Sequence, residues 1–147
     1  TGWTALRAGI EGLRPVPEEH VVLVGARDLS PSEEERLAAS RVRRVGPGEP
    51  LEPALEDLAA RVSSIYLHVD LDVLDPLVGR ANWYAAPGGL DLDEVVAAVE
   101  LVGRCRPIRA AALTAYAPEC DPERSIPAAA RAIFEGLVAA SRGGAPA

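Results

Sequence analysis

The chain has no methionine and no lysine, two cysteines, and only 4% aromatic residues among 147 positions. Cys105 and Cys120 lie far apart and outside any Cys-x-x-Cys spacing, which argues against a disulfide framework or a zinc knuckle. A reduced, cytoplasmic setting is the expectation. Fifteen basic residues against 22 acidic ones leave a net charge of -7 and a pI near 4.8. That shortage of cations excludes a nucleic-acid or anionic-membrane surface as a partner, because either needs clustered positive charge. Small molecules and other proteins remain. No run approaches about eighteen uninterrupted apolar residues, so no spanning helix is expected. Thr1-Gly2-Trp3-Thr4 has neither the basic nor the apolar region of a signal peptide. With no methionine even at the first position, Thr1 is not expected to be a translation start, and further residues are expected upstream. That every cation is arginine reflects biased composition and carries no functional reading.

What is present is 48% hydrophobic residues, enough for one domain over residues 1–147. Val21 to Gly25 is a short apolar run closed by glycine, the pattern of a strand covered on both faces of a parallel sheet. Ser30-Pro31-Ser32-Glu33 combines an N-cap hydroxyl, a first-turn proline and a glutamate at the third position, which predicts a helix over 31–39. Arg41 to Val45 is a candidate edge strand. Leu51, Ala54, Leu55, Leu58, Ala59 and Val62 form one apolar helical stripe. Ile65 to Asp70 reads as a buried strand. Asp91-Leu92-Asp93-Glu94 opens a helix striped by Leu92, Val95, Val96, Val99 and Val102. Ala110 to Tyr116 reads as another strand, and 126–140 as a closing helix burying Ile133, Phe134, Leu137 and Val138. Residues 141–147 are expected to fray. Strands alternating with amphipathic helices predict an α/β fold, three-layer αβα with a mainly parallel sheet, and a ligand site beyond the carboxyl ends of the strands.

The run His68-Val69-Asp70-Leu71-Asp72-Val73-Leu74-Asp75-Pro76 ends one such strand. If strand alternation continues through it, Asp70 and Asp72 project to one face about 6–7 Å apart at Cα. Carboxylate oxygens suit hard divalent cations, and a pair of cations sharing a water activates it for attack on an sp² carbon.

The segment Asp70-Leu71-Asp72-Val73-Leu74-Asp75-Pro76 resembles the Asp-x-Asp-x-x-Asp-Pro metal motif of the ureohydrolase family, that is, arginases, agmatinases and formimidoylglutamases. Pro87-Gly88-Gly89-Leu90 matches the turn that follows in that family, and Gly25-Ala26-Arg27-Asp28-Leu29 is similar to its strand end leading into an acidic helix. The resemblance covers the family's carboxyl-terminal half. It implies an arginase-like fold and a dimanganese centre hydrolysing a carbon–nitrogen bond of a guanidino or amidino compound. Asp70 and Asp72 would be metal ligands, and Asp75 would brace the loop through backbone amides. The amino-terminal Gly-Gly-Asp-His and Asp-x-His-x-Asp segments of the family are absent from this chain. Two aspartates offer four oxygens where two cations ask for roughly ten ligand positions, so the chain alone is expected to bind metal weakly and to be inactive. The loop that is usually Gly-Thr-Gly-Thr reads Ala81-Asn82-Trp83-Tyr84. The usual Glu-x-x-Pro reads Ala115-Tyr116-Ala117-Pro118, which removes the carboxylate that would pair with a guanidinium. These departures imply an atypical branch with a different mode of substrate binding.

Plainer readings stand beside these. Asp70 and Asp72 could be turn carboxylates. His68 could be an outer donor or extra ligand, or a half-buried histidine bonded to a carbonyl. Trp83 and Tyr84 could form a substrate lid or plug a sheet edge. Asp121-Pro122 reads as a turn or helix start with Glu119 and Glu123 beside it, Arg27 and Asp28 as a local pair, and His20 as a solvated loop residue. A non-catalytic interaction or regulatory domain is the main functional alternative. A magnesium phosphoryl site is a weaker one, unsupported by any phosphate-cradling glycine loop. An unpaired sheet edge predicts self-association or pairing with the family's other half.

Overall fold

Short apolar runs punctuated by capped helix starts set the order of the elements. The structure, a computed structural model, describes residues 9–46 and 48–143. A single 3-10 turn at Glu18–His20 precedes β1 (Val22–Val24), α1 (Pro31–Ala39), β2 (Arg43–Val45), α2 (Glu52–Ala59) and β3 (Ile65–Asp70). A 3-10 turn at Leu71–Val73 follows, then α3 (Leu92–Cys105), β4 (Ile108–Thr114), a turn at Pro118–Cys120 and α4 (Ser125–Gly143). His20 thus ends a helical turn, half-buried, rather than lying in a solvated loop. Ser141 and Arg142 continue α4, and residues 144–147 lie outside the described residues.

The helix starts follow the sequence signals. At α1 the Ser30 amide donates to the Glu33 carboxylate at 2.8 Å. At α3 the Glu94 amide donates to Asp91 at 2.7 Å while the Asp91 amide donates back to Glu94 at 2.8 Å. Each pair satisfies amides that have no partner inside the helix.

All strand pairing is parallel, as the alternation of elements implies. β1 pairs with β2 (Val22↔Arg43 to Val24↔Val45) and β3 with β4 (Ile65↔Ile108 to Asp70↔Thr114). Among the described residues the parallel pairing falls into two two-stranded ladders, within the α/β architecture expected from the sequence. Side chains, not ladder bonds, join them: Val22, Ile65 and Leu67 pack on the buried Leu55, Leu58 and Val102.

The main core lies between β3–β4 and the α3–α4 pair, with Val69, Leu71, Leu74, Val95, Val99, Ile126, Ile133 and Leu137 buried together. Ile126 and Ile133 are 0% exposed, each worth about 1.5–3 kcal/mol of transfer free energy. At Gly103 an added Cβ would fall 2.6 Å from Ala140 Cβ, so glycine permits the close approach of α3 to α4. Two expectations of burial are corrected here. Phe134 is 57% exposed, because it sits one residue, about 100° of helix, past the Ile133 stripe. β3 is covered on one face only. Val69 faces the core, while Tyr66, His68 and Asp70 are exposed on the other face, which carries no helix among the described residues.

Candidate functional site

Residues 70–76 leave the sheet at once. β3 stops at Asp70 and the next three residues coil into a 3-10 turn. Side-chain alternation therefore ends before Asp72, so the period-two rule of a strand does not set the direction of its carboxylate. Hydrophobic burial of Leu71 and Leu74 enforces this, since both sit in the main core and the chain must turn to deliver them.

The two carboxylates consequently have different neighbours. Asp70 stays on the open face of the ladder, where its Oδ1 accepts from the Thr114 hydroxyl and lies 3.2 Å from His68 Nε2. His68 Nε2 is also 2.9 Å from Thr114 Oγ1, and its Nδ1 is 3.0 Å from the Tyr66 hydroxyl. A four-residue polar chain, Tyr66–His68–Asp70–Thr114, thus covers the exposed face. Asp72 is half-buried, and its Oδ2 accepts from Asn82 Nδ2 at 3.0 Å. Asn82, itself only 8% exposed, also donates through Nδ2 to the Ala115 carbonyl at 2.8 Å and accepts the Tyr84 amide on Oδ1 at 2.8 Å. Ala115 closes β4 in a left-handed conformation, φ 64°, and an L-residue adopts that only where its surroundings impose it.

Asp75 accepts three backbone amides: Leu77 at 2.9 Å, Gly88 at 2.8 Å and Gly89 at 3.1 Å. Those amides, Leu77 foremost and with the Arg27 guanidinium nearby, hold its carboxyl below the usual aspartate range against some desolvation. The turn is further tightened at Gly89. A Cβ there would stand 2.5 Å from the Asp75 nitrogen and 2.7 Å from the Val73 oxygen.

Arg27 is the residue that sequence reasoning missed. It forms no local pair with Asp28 among the described salt bridges; Asp28 is exposed, with φ 55°. The guanidinium instead reaches across to the Asp72 carbonyl (2.7 Å), the Leu74 carbonyl (3.2 Å) and the Ala86 carbonyl (2.7 and 3.0 Å). A guanidinium has five donors in a fixed fork and can serve several converging carbonyls. The only sequence signal was an arginine directly after a strand end. Asp121, 3% exposed, accepts the Ser125 and Ile126 amides at 3.1 and 2.9 Å and the Tyr116 hydroxyl at 3.3 Å, so it opens α4 and stays apart from the rim. Burial, with Asp121 adding to it, raises the Tyr116 hydroxyl above its usual range. Glu119 and Glu123 are exposed. Trp83 and Tyr84 are 65% and 85% exposed, which rules against their plugging a sheet edge. Their loop runs beside the end of β4, since the Ala117 amide donates to the Ala81 carbonyl at 2.8 Å. Among the described residues no three His, Cys, Asp or Glu side chains converge as a metal-ion cluster. Both cysteines are free and half-buried.

This arrangement, an acidic turn at the end of a parallel strand braced against a glycine turn, has relatives. A model of the arginase family matches residues 4–138. The chain belongs to the arginase family. An N(omega)-hydroxy-L-arginine amidinohydrolase of Streptomyces lavendulae is 35% identical over 114 residues, covering 78% of this chain and 40% of that protein. An arginase of Bacillus caldovelox is 27% identical over 137 residues, covering 87% and 46%. The solved structure of the Bacillus caldovelox arginase superposes with a TM-score of 0.79 at 26% identity, over 88% of this chain and 46% of that one. The chain thus spans less than half the length of these arginase-family relatives. Among the described residues no helix is long and apolar enough to cross a membrane.

Proposed function

We propose that this arginase-family chain supplies the carboxyl-terminal part of a hydrolase site for carbon–nitrogen bonds in guanidino or amidino compounds. The observation that carries the reading is the Asp70–Pro76 turn, held at the carboxyl end of β3 inside a family match over residues 4–138. Family membership gives the non-catalytic alternative no support.

Asp70 and Asp72 fit divalent manganese in kind, as hard oxygen donors with lone pairs left open by their present partners. They are too few in number for two cations, so the remaining donors come from outside the described residues. Such cations supply Lewis acidity that readies water for attack on an amidino carbon. The residues of this chain have separate tasks in that scheme. Asp70 and Asp72 hold metal, Asp75 keeps the turn closed on the Gly88 and Gly89 amides, and His68 supports Asp70 from the open face. Trp83 and Tyr84 present exposed rings to the substrate. With Ala115 in place of a carboxylate, a guanidinium finds no counter-ion on that position, and this marks an atypical branch. The site is completed by a second polypeptide segment or by another copy of the chain, in a soluble cytoplasmic protein.

Calorimetric titration of manganese into the intact protein and into its Asp70→Ala, Asp72→Ala variant tests the metal reading. The variant is expected to lose affinity at least tenfold, and equal affinity would refute it. Urea and ammonia release from a panel of guanidino and amidino compounds tests the substrate class; no release from any member by the manganese-loaded assembly that includes the segment or copy completing the site would refute that part.

A further inference from the structure

Asn82 occupies the point where three features meet: the Asp72 carboxylate, the left-handed end of β4, and the loop carrying Trp83 and Tyr84. Both polar atoms of its side chain are committed. Nδ2 spans Asp72 Oδ2 at 3.0 Å and the Ala115 carbonyl at 2.8 Å, and Oδ1 takes the Tyr84 amide at 2.8 Å. A side chain 8% exposed with every bond satisfied cannot swing without losing all three together. Because one Asp72 oxygen accepts from an amide fixed at its far side, the rotation of the carboxylate is restricted, and its other oxygen takes no hydrogen bond among the described residues. Arg27 fixes the backbone of the same residue by taking the Asp72 carbonyl at 2.7 Å. Asp72 is therefore held twice, by Arg27 at its main chain and by Asn82 at its side chain. Asp70 has only two side-chain partners among the described residues, the exposed His68 and the half-buried Thr114.

We propose that Asn82 is a positioning residue: it orients Asp72 for cation binding and ties that carboxylate to the exposed Trp83–Tyr84 loop. The proposal rests on the reading of Asp72 as a metal ligand. A hydrogen bond of this kind to a ligating carboxylate restricts its rotation before the cation arrives, so the cost of ordering it is not charged to binding. Asn82 acts through Asp72 and does not touch the cation itself.

A double-mutant cycle on manganese affinity tests this in the intact protein, with Asn82→Ala, Asp72→Ala and the pair measured by calorimetry. Asn82→Ala is expected to weaken manganese binding about tenfold to a hundredfold in the otherwise unaltered chain. The same substitution in the Asp72→Ala background is expected to change affinity less than twofold. Equal losses in both backgrounds would show that Asn82 acts only through the fold, and would overturn the proposal. So would an unchanged affinity in Asn82→Ala while Asp72→Ala binds weakly, and in that case the metal reading survives. Equal binding by Asp72→Ala and the unaltered chain would instead overturn the metal reading together with this proposal. If Asn82→Ala does not fold, Asn82→Leu keeps the side-chain volume, removes the same bonds, and is read by the same cycle.

Discussion

Leu67 and Val69 on the covered face of β3 meet α3 and α4, whereas Tyr66, His68 and Asp70 on its open side meet chiefly one another and Thr114 of β4. The covered face is apolar and close-packed, so its contribution to stability scales with area removed from water. The open face is polar and wet, where hydrogen bonds to side chains exchange readily with water and add little to stability. Between them lies the 71–76 turn, held by side-chain-to-backbone bonds: the Arg27 guanidinium donates to its carbonyls, and the Asp75 carboxylate accepts the Gly88 and Gly89 amides. Stability is concentrated on one side of two strands, and groups free to take a new partner on the other.

The most direct way to break this contrast is to empty the covered face. Ile133→Ala, at a fully buried position, is expected to lower unfolding free energy by about 2–5 kcal/mol in denaturant titration. A loss under 1 kcal/mol would mean that the covered face is not the principal core. Next comes the turn. Gly89→Ala would drive a Cβ into the Asp75 nitrogen and the Val73 oxygen, with an expected cost of about 1–3 kcal/mol, read from the thermal midpoint. A variant as stable as the parent would show that this turn yields easily.

Asp75 gives a smaller, pH-dependent effect. Its carboxyl is lowered in the folded chain, so its stabilisation is fully present above the ordinary aspartate range and drains away as pH falls through it. The stability gap between the parent and Asp75→Asn is therefore expected to be widest near neutrality and to close on acidification. A gap constant with pH would show that the three amide bonds do not favour the ionised form. The smallest effect belongs to the open face. Asp70→Asn is expected to move stability within about 0.5 kcal/mol while weakening manganese binding at least tenfold. A large loss of stability would make Asp70 a structural carboxylate like Asp75.

Much of this architecture was written locally. Periodicity placed β3 over Ile65–Asp70 and α1 over Pro31–Ala39, and carboxylate and hydroxyl caps marked where α1 and α3 begin. Such signals are legible because they involve residues within four positions of one another. The Asp-x-Asp-x-x-Asp-Pro run and the following Pro-Gly-Gly-Leu pointed to the family for the same reason, as contiguous motifs. Phe134 was misread because a stripe on one helix does not say how wide the facing surface is, and the surface meeting α4 takes Ile133 and Leu137 but leaves Phe134 outside.

By itself, then, the sequence determined which segments become helix or strand, that the strands pair in parallel, and which acidic run carries the family's motif. Only the tertiary structure decided that β3 ends at Asp70, that Arg27 reaches carbonyls 45 and 59 positions away, and that Asn82 joins Asp72 to the Ala115 carbonyl 33 residues beyond it. Those choices depend on which buried leucines and polar groups converge once distant segments pack, and short-range pattern carries no record of such partners.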